Sequence, residues 1–454
     1  MNPKRRAVSC LQGMCLLIAL CFPTMANANQ PLTDLLDSLE QAVASGTALS
    51  VRGALVQGGD ITEFSFGRLA PDGGAAPDGD SAYQIGSITK VFTHLLLAEM
   101  VARGKLRYET TIADLLSDEI VFADPAVGEI TLLQLATHTS GLPRVPFNLM
   151  ATDLTDPYAN YNEQQLLTAL ARIGDAQVLS NQQTYSNFGA GLLGYLLGRV
   201  DGSSYGQALS AHVLEPLGLN HTGMAPTGRV ASPWAGHEVV PAWTFDALAG
   251  AGALWSTTSD LVRLAQAVIG ARLPELKQDV VAGLEVVVEI GDGLSVSPVW
   301  HIAETEAGPV YWHNGGTQGN TSFLGIRPAT KEALIVLLAG ELDATAAALG
   351  WFGFSLAAVE DTREGIEMDR QALQAYPGEY AFAPGVALTI RLQGEVLEAR
   401  LGAQPFLPMI PQAVDIFFFR DVDAELHFER DSAGEIVALI LHQDGMQQRA
   451  ERVR

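Results

Sequence analysis

The sequence predicts an α+β fold: an antiparallel sheet built from both ends of the chain, flanked by helices, with an inserted helical region and a small C-terminal all-β domain. Three observations predict it. β-like apolar runs come early (Ala48–Val56, Ile61–Leu69) and return late (Val299–Ala303, Val310–Trp312, Ser322–Ile326, Ala333–Leu338). Between them lies a stretch of helical apolar spacing. Beyond a charged segment, short alternating runs separated by turn residues recur to the end, the pattern of a compact β sheet or barrel.

The chain has 454 residues, 48% of them hydrophobic and 17% charged, enough to bury a large core and a small one and too apolar for disorder. Residues 1–28 read as a signal peptide. Lys4, Arg5 and Arg6 precede the apolar run Met14–Phe22, which is too short to span a bilayer, and Ala26-Asn27-Ala28 is a small-x-small cleavage site. The expected product is a secreted, periplasmic chain beginning at Asn29, with no membrane span. All three cysteines (Cys10, Cys15, Cys21) fall in this leader, which excludes disulfides, thiolate metal sites and a cysteine nucleophile from the mature chain. Loss of the three leader cations takes the net charge from −24 to −27. Such acidity opposes nucleic-acid and anionic-membrane partners and favours solubility.

Pro31–Ala44 carries helical spacing through Leu32, Leu35, Leu36, Leu39 and Val43. Gly58-Gly59-Asp60 joins the first two strands as a hairpin. Pro71–Asp80 is a loop. Val91–Val101 is apolar on most sides, which marks a helix inside the core. Helices follow at Leu132–Thr137, Glu163–Ile173, Phe188–Val200, Tyr205–Leu214 and Asp260–Ile269, and another near Ala344–Val359. The expected divisions are a catalytic domain over 29–360, a linker over 361–371 and a β-barrel-like domain over 372–454, whose runs are Ala387–Leu392, Val396–Leu401, Ile416–Phe419, Glu425–Glu429 and Ile436–Leu441.

Three short motifs carry the chemistry. Ser87-Ile88-Thr89-Lys90 opens the buried helix, so positions three apart share a face and Lys90 reaches the Ser87 hydroxyl. A partly buried lysine loses its proton readily enough to activate a serine, and the helix start favours the developing negative charge. The chain has five lysines in all. Tyr185-Ser186-Asn187 precedes a glycine-rich helix; a lysine-stabilised phenol serves as base and then acid, and the Asn187 amide binds a substrate carbonyl. His313-Asn314-Gly315-Gly316 follows a β-like run, an edge strand whose glycines allow close backbone approach. Backbone N–H groups of Ser87 and Gly316 can form an oxyanion hole, and an extended substrate can lie along the strand. Each motif alone has a structural explanation: a capping serine, a half-buried tyrosine, a satisfied histidine.

Taken in order, S-x-x-K, Y-x-N and H-x-G resemble the class C β-lactamase and D-Ala-D-Ala peptidase family of penicillin-recognising serine hydrolases. Leu135–Pro143, Pro216–Leu219 and Trp255–Leu261 resemble further landmarks of that family, and the resemblance runs from about Leu32 to Val359. It implies a β-lactamase/transpeptidase-like fold, Ser87 as nucleophile, Lys90 as activator and Tyr185 as acid/base. Asn187 and His313 would bind substrate with Gly315 and Gly316, His313 at a substrate carboxylate or within the proton network. The expected activity is acyl-enzyme hydrolysis of amides or esters: D-Ala peptides, β-lactams or simple esters. No cofactor or metal is expected. Histidine stands where the β-lactamases have the lysine of Lys-Thr-Gly, which predicts weak β-lactam hydrolysis and points toward peptidase- and esterase-like members. The rival functions are a promiscuous carboxylesterase and a non-catalytic penicillin- or peptidoglycan-binding protein.

Several patterns carry no chemistry. Gly202–Gly206 matches a nucleophile elbow but lacks the leading strand, so its serine reads as a cap. Gly189–Gly194 matches a dinucleotide fingerprint but reads as small residues for helix packing. His237-Glu238 has no second histidine at zinc spacing. His138 reads as a residue holding a loop near the cleft.

Overall fold

The computed structural model describes residues 30–453 apart from 150–154, 174–182, 271–287, 299, 357–362, 364, 367, 384–385, 402–405, 421–423 and 444–445. The signal peptide, linker positions 361, 362, 364 and 367, and Val299 therefore lie outside the described residues.

The chain enters through a helix over Gln30–Ser45, then forms β1 (Ala48–Gln57) and β2 (Asp60–Gly67) as a hairpin. β3 (Ala82–Gln84) leads into the turn that carries Ser87 and the helix Thr89–Ala102. A helical region follows, containing Leu132–Ala136, Glu163–Arg172, Asn187–Asp201 and Tyr205–Leu209, then the two-residue strands β4 (Trp234–Ala235) and β5 (Glu238–Val239). β6 (Trp255–Thr257) pairs with β3 and starts the helix Thr258–Gly270. The strands β7 (Val288–Gly291), β8 (Leu294–Val296), β9 (His301–Ala303), β10 (Val310–Thr317), β11 (Asn320–Arg327) and β12 (Glu332–Gly340) complete one eight-stranded sheet in the order β2-β1-β12-β11-β10-β9-β8-β7. Neighbours run antiparallel, and the chain's early hairpin docks on its last strand through β1 and β12.

Period-two alternation assigns the two faces of this sheet. Val51, Leu55, Leu334, Val336 and Leu338 pack with Leu35, Leu39, Ala348 and Phe352, beneath the first helix and the short helix Thr345–Trp351. Ala54, Val56, Ile335 and Leu337 face the helical region. The helix Thr89–Ala102 has 12 buried residues of 14, as its all-round apolar pattern predicts.

The last unit is a closed antiparallel barrel of β13 (Gly378–Ala383), β14 (Val386–Gln393), β15 (Val396–Leu401), β16 (Leu407–Ala413), β17 (Ile416–Phe418), β18 (Ala424–Arg430), β19 (Ile436–Gln443) and β20 (Met446–Arg452). Its core centres on Tyr376, Phe417 and Phe428, stacked edge to face.

The structure corrects two expectations. The helix near Ala344–Val359 stops at Trp351, where Phe352 and Gly353 (φ +85°) turn the chain. β10 is not a simple edge strand. It pairs with β11 along Tyr311–Thr317, but with β9 only along Val310–Trp312, so the edge is confined to its second half, where the His313 motif sits.

Candidate active site

The turn that carries Ser87 is set by its flanks. Ile85 N–H donates to the Leu254 carbonyl (2.9 Å), the Ile85 carbonyl accepts from Ser322 Oγ (2.9 Å), and Gly86 adopts φ +49°. Positive φ disfavours a side chain, and space forbids one: a Cβ on Gly86 would meet the Gly316 backbone nitrogen and oxygen at 2.7 Å. The turn and the second half of β10 are thus in direct backbone contact. Ser87 follows, half-buried, in the 3-10 turn Gly86–Ile88.

Lys90 lies one turn on and is 0% exposed. Its Nζ donates to Ser87 Oγ (3.0 Å), Asn187 Oδ1 (2.9 Å) and the Ala251 carbonyl (2.7 Å). An ammonium has three donors; here all three have neutral acceptors and none has a carboxylate. Burial, aided by the nearby Arg144 charge, therefore holds the amine well below its usual range. Stripped of its proton, Nζ keeps two N–H for Asn187 Oδ1 and the Ala251 carbonyl, which can only accept, and turns its lone pair to the Ser87 hydroxyl.

The Ala251 carbonyl is presented by a turn over Ala249–Ala251 that three residues of the catalytic helix grip. Thr89 Oγ1 accepts from Leu254 N–H (3.1 Å), and Thr93 Oγ1 donates to the Gly250 carbonyl (2.8 Å) alongside the Lys90 bond. The other side of that turn packs on the helix Asn187–Asp201. A Cβ on Gly191 would strike Leu248 at 2.5 Å and one on Gly194 the Gly250 Cα at 2.8 Å. The glycine pattern of 189–194 therefore brings Asn187 within reach of Lys90, and no nucleotide chemistry is involved.

Tyr185 enters from the segment before that helix. Its hydroxyl hydrogen-bonds the Ser87 side chain, and its ring lies 4.7 Å from Lys90 Nζ. Burial pushes the phenol up, opposed by the Ser87 hydrogen bond and by Arg144, whose guanidinium carbon is 5.5 Å from the ring. His138, at φ +59°, holds this segment: its Nδ1 accepts from Ser186 N–H (3.1 Å) and its carbonyl from Thr184 N–H (2.8 Å). The loop-holding role read from the sequence is what the geometry shows. Ser186 caps the helix, accepting from Gly189 N–H. Ser204 likewise caps its own helix in a capping box, as its decoy motif predicts.

His313 is 3% exposed on β10. Its Nδ1 is 2.6 Å from the Asn314 carbonyl; a carbonyl only accepts, so Nδ1 carries the hydrogen and Nε2 presents a lone pair. Burial, with His301 and Lys90 near, holds the ring well below its usual range, so it is neutral at pH 7. Gly315 makes the β10 approach to the turn possible: a Cβ there would lie 2.0 Å from the Ile85 carbonyl oxygen. Gly316 faces open space.

The sequence reading missed part of the site. A narrow cleft beside Ser87 is lined by Tyr158, Asn187, Trp243, Phe245, Ala251, Gly252, Gly316 and Thr317. Tyr158 stacks on Phe245 (4.8 Å, 15°), meets Trp243 edge-on (5.5 Å) and accepts from Asn187 Nδ2 (3.0 Å). Gln84 grips the Trp243 backbone at both N–H and C=O (3.1 and 2.6 Å). His301, on β9, lies 4.8 Å from His313. Tyr158, Trp243 and Phe245 sit in loops, Gln84 ends β3 and His301 opens β9; none belongs to a motif, and no local pattern in the sequence marks them.

The beta-lactamase family model matches residues 36–355, and a second, described as a domain of unknown function (DUF3471), matches 362–453. Penicillin-binding protein 4 of Amycolatopsis lactamdurans is 28% identical over 306 residues, 62% of this chain and 78% of the relative. The D-alanyl-D-alanine-carboxypeptidase/endopeptidase AmpH of Escherichia coli (strain K12) is 26% identical over 259 residues, 54% of this chain and 65% of AmpH. Among solved structures, a class C beta lactamase from Rhodobacter sphaeroides superposes with a TM-score of 0.61 at 20% identity, covering 70% of this chain and 99% of that one, a likeness of fold.

Proposed function

The chain belongs to the β-lactamase family and is a serine hydrolase, and on that premise we propose that Ser87 is its nucleophile. The observation that carries this reading is the convergence on one hydroxyl: a buried lysine amine at 3.0 Å and a tyrosine hydroxyl, both on Ser87 Oγ. Lys90, with its amine neutral, takes the serine proton as Oγ attacks the substrate carbonyl, while burial keeps the Tyr185 hydroxyl protonated and able to donate. The backbone N–H groups of Ser87 and Gly316 hold the oxyanion, Tyr185 protonates the leaving group, and water releases the acid from the acyl-enzyme. Asn187, fixed by Lys90 and Tyr158, offers its amide to the acyl part.

The proposed substrates are amides or esters of D-amino-acid peptides, with β-lactams turned over slowly. The names of the relatives support this class. A neutral His313 in place of a lysine supports the peptidase and ester end of it over rapid lactam hydrolysis. The signal-like leader supports a periplasmic location, and 361–371 is proposed as the linker to an accessory barrel over 372–454. The test is labelling with a fluorophosphonate and a fluorescent penicillin, followed by mass spectrometry. A single adduct on Ser87, absent from Ser87→Ala, is the expected result. An unlabelled wild type favours a non-catalytic binder, and an adduct elsewhere overturns the assignment.

A further inference from the structure

Hydrolysis through an acyl-enzyme leaves a proton to dispose of. Of the two protons of the attacking water, one restores the serine hydroxyl, and the other must leave the site as the water attacks and the product departs as a carboxylate. The groups around Ser87 cannot keep it. Lys90 is wholly buried among neutral hydrogen-bond partners; His138, whose ring is 4.5 Å from Tyr185, has its Nδ1 lone pair taken by Ser186 N–H, and His313, whose Nε2 lone pair is available, is 3% exposed.

One further imidazole stands outside His313. His301 is half-buried at the start of β9, opposite Trp312 in register, where β9 ceases to cover β10. Its ring lies 4.8 Å from His313, 5.1 Å from Trp312 and 6.4 Å from Tyr185, nearly parallel to the last (22°). The rings of His301 and His313 are equally far from Tyr185 (6.4 and 6.5 Å), and exposure separates them: His313 is buried, whereas His301 is half-buried and is the one of the pair that reaches solvent. The His313 Nδ1 hydrogen is tied to the Asn314 carbonyl, so Nε2 is the nitrogen that can take and return a proton.

We propose that His301 is a positioning residue that acts through His313, the outer station of a two-imidazole path carrying the water's proton to solvent during deacylation. This rests on the reading of Ser87 as nucleophile. The step balances: as water attacks the acyl carbon, one of its O–H bonds breaks and His313 Nε2–H forms; the acyl C–Oγ bond then breaks and Oγ takes the second water proton, leaving a carboxylate; the His313 N–H bond breaks as its proton passes to an imidazole nitrogen of His301 and then to water. No residue is oxidised or reduced, and His313 ends neutral. The groups facing the pair are Lys90, Tyr185, His138 and His94, with Arg144 beyond the Tyr185 ring; none is a carboxylate that would hold the proton. Burial and Lys90 lower the His301 ring to about 4, so it passes a proton on and does not store it.

The experiment separates acylation from deacylation with a p-nitrophenyl ester in single turnover. In His301→Gln the acyl-enzyme should decay about tenfold more slowly, below the hundredfold typical of a group in direct contact with the reacting atoms. The rate of Ser87 labelling by fluorophosphonate should stay at the wild-type value. Free imidazole should restore the decay rate in proportion to its concentration. His301→Phe keeps a ring against Trp312 without a nitrogen and should match His301→Gln. Wild-type decay in both variants overturns the proposal, as does slow decay that imidazole leaves unchanged. A wild type that does not label at Ser87 overturns the underlying site reading.

Discussion

Adding one methyl group at Gly315 should dismantle the oxyanion hole while leaving the chemistry-bearing side chains in place. The Cβ of Gly315→Ala would lie 2.0 Å from the Ile85 carbonyl oxygen and 2.6 Å from Ser322 Oγ. Ordinary contact begins near 3.4 Å, so β10 and the turn must part by more than an ångström. Two things follow from that movement. The Ser322 Oγ bond to the Ile85 carbonyl (2.9 Å) is broken or stretched, costing about 1 kcal/mol or more for a buried carbonyl left short of a partner. The Gly316 N–H also leaves the 2.7–3.1 Å window an oxyanion donor needs, and loss of one such donor lowers kcat by about 10²–10³-fold. Gly316→Ala is the control: its Cβ meets nothing within 4 Å, so the backbone should stay put. The assay is kcat/KM on an ester substrate, with Tm and circular dichroism to confirm the fold. Gly315→Ala should lose at least a hundredfold in kcat/KM with a modest fall in Tm, and Gly316→Ala should keep the wild-type Tm and lose far less activity. Near-wild-type turnover in Gly315→Ala refutes the claim that contact between this strand and the turn builds the site.

Lys90 gives a signed pH prediction. Its folded value lies well below 10.5, so kcat/KM should hold as pH falls through 10 and 9 and collapse only below the folded value, as the amine gains a proton. The unfolded chain binds that proton up to about 10.5, so stability should decline as pH falls from there toward the folded value, and Lys90→Met should remove this slope in urea melts. A slope unchanged in Lys90→Met contradicts a neutral amine. Gln84→Ala should free both backbone groups of Trp243, lowering stability by about 1–3 kcal/mol and raising KM more than it lowers kcat, since the cleft wall loosens while Ser87 does not. Equal loss in kcat and KM effects would place Trp243 in the reacting geometry instead. Tyr185→Phe should lower turnover by about 10²-fold with an unchanged Tm, checked on the same ester.

The residues legible in the sequence were those whose chemistry depends on local spacing. Ser87 and Lys90 are three apart on a helix, and that period alone puts Nζ beside Oγ, as found at 3.0 Å. The all-round apolar character of 91–101 likewise announced the buried helix that strips the lysine of water. The barrel strands with clean alternation, such as Val396–Leu401 and Ile436–Gln443, were visible, whereas three were not. β13 opens on a glycine, β16 carries two prolines, and β20 is polar at most positions, so pattern and propensity both point away from strand; barrel closure makes them strands through their neighbours.

The glycines show most clearly where local reading ends. Gly191 and Gly194 have the spacing of a nucleotide fingerprint, and only the absence of a leading strand argued otherwise. Their reason for being glycine is Leu248 and Gly250, more than fifty residues away, whose turn must come close enough to offer the Ala251 carbonyl to Lys90. Gly315 has a reason of the same kind in the Ile85 carbonyl, 230 residues earlier. Trp243 and His301 are held by Gln84 and by register with Trp312, contacts that exist only once the sheet has formed. Sequence spacing thus places Lys90 beside Ser87, but the burial of the lysine, the approach of the Gly316 backbone and the setting of His301 depend on long-range contacts. Substitutions at those glycines should therefore abolish activity as effectively as substitutions at the lysine itself, while leaving every motif side chain in the sequence intact.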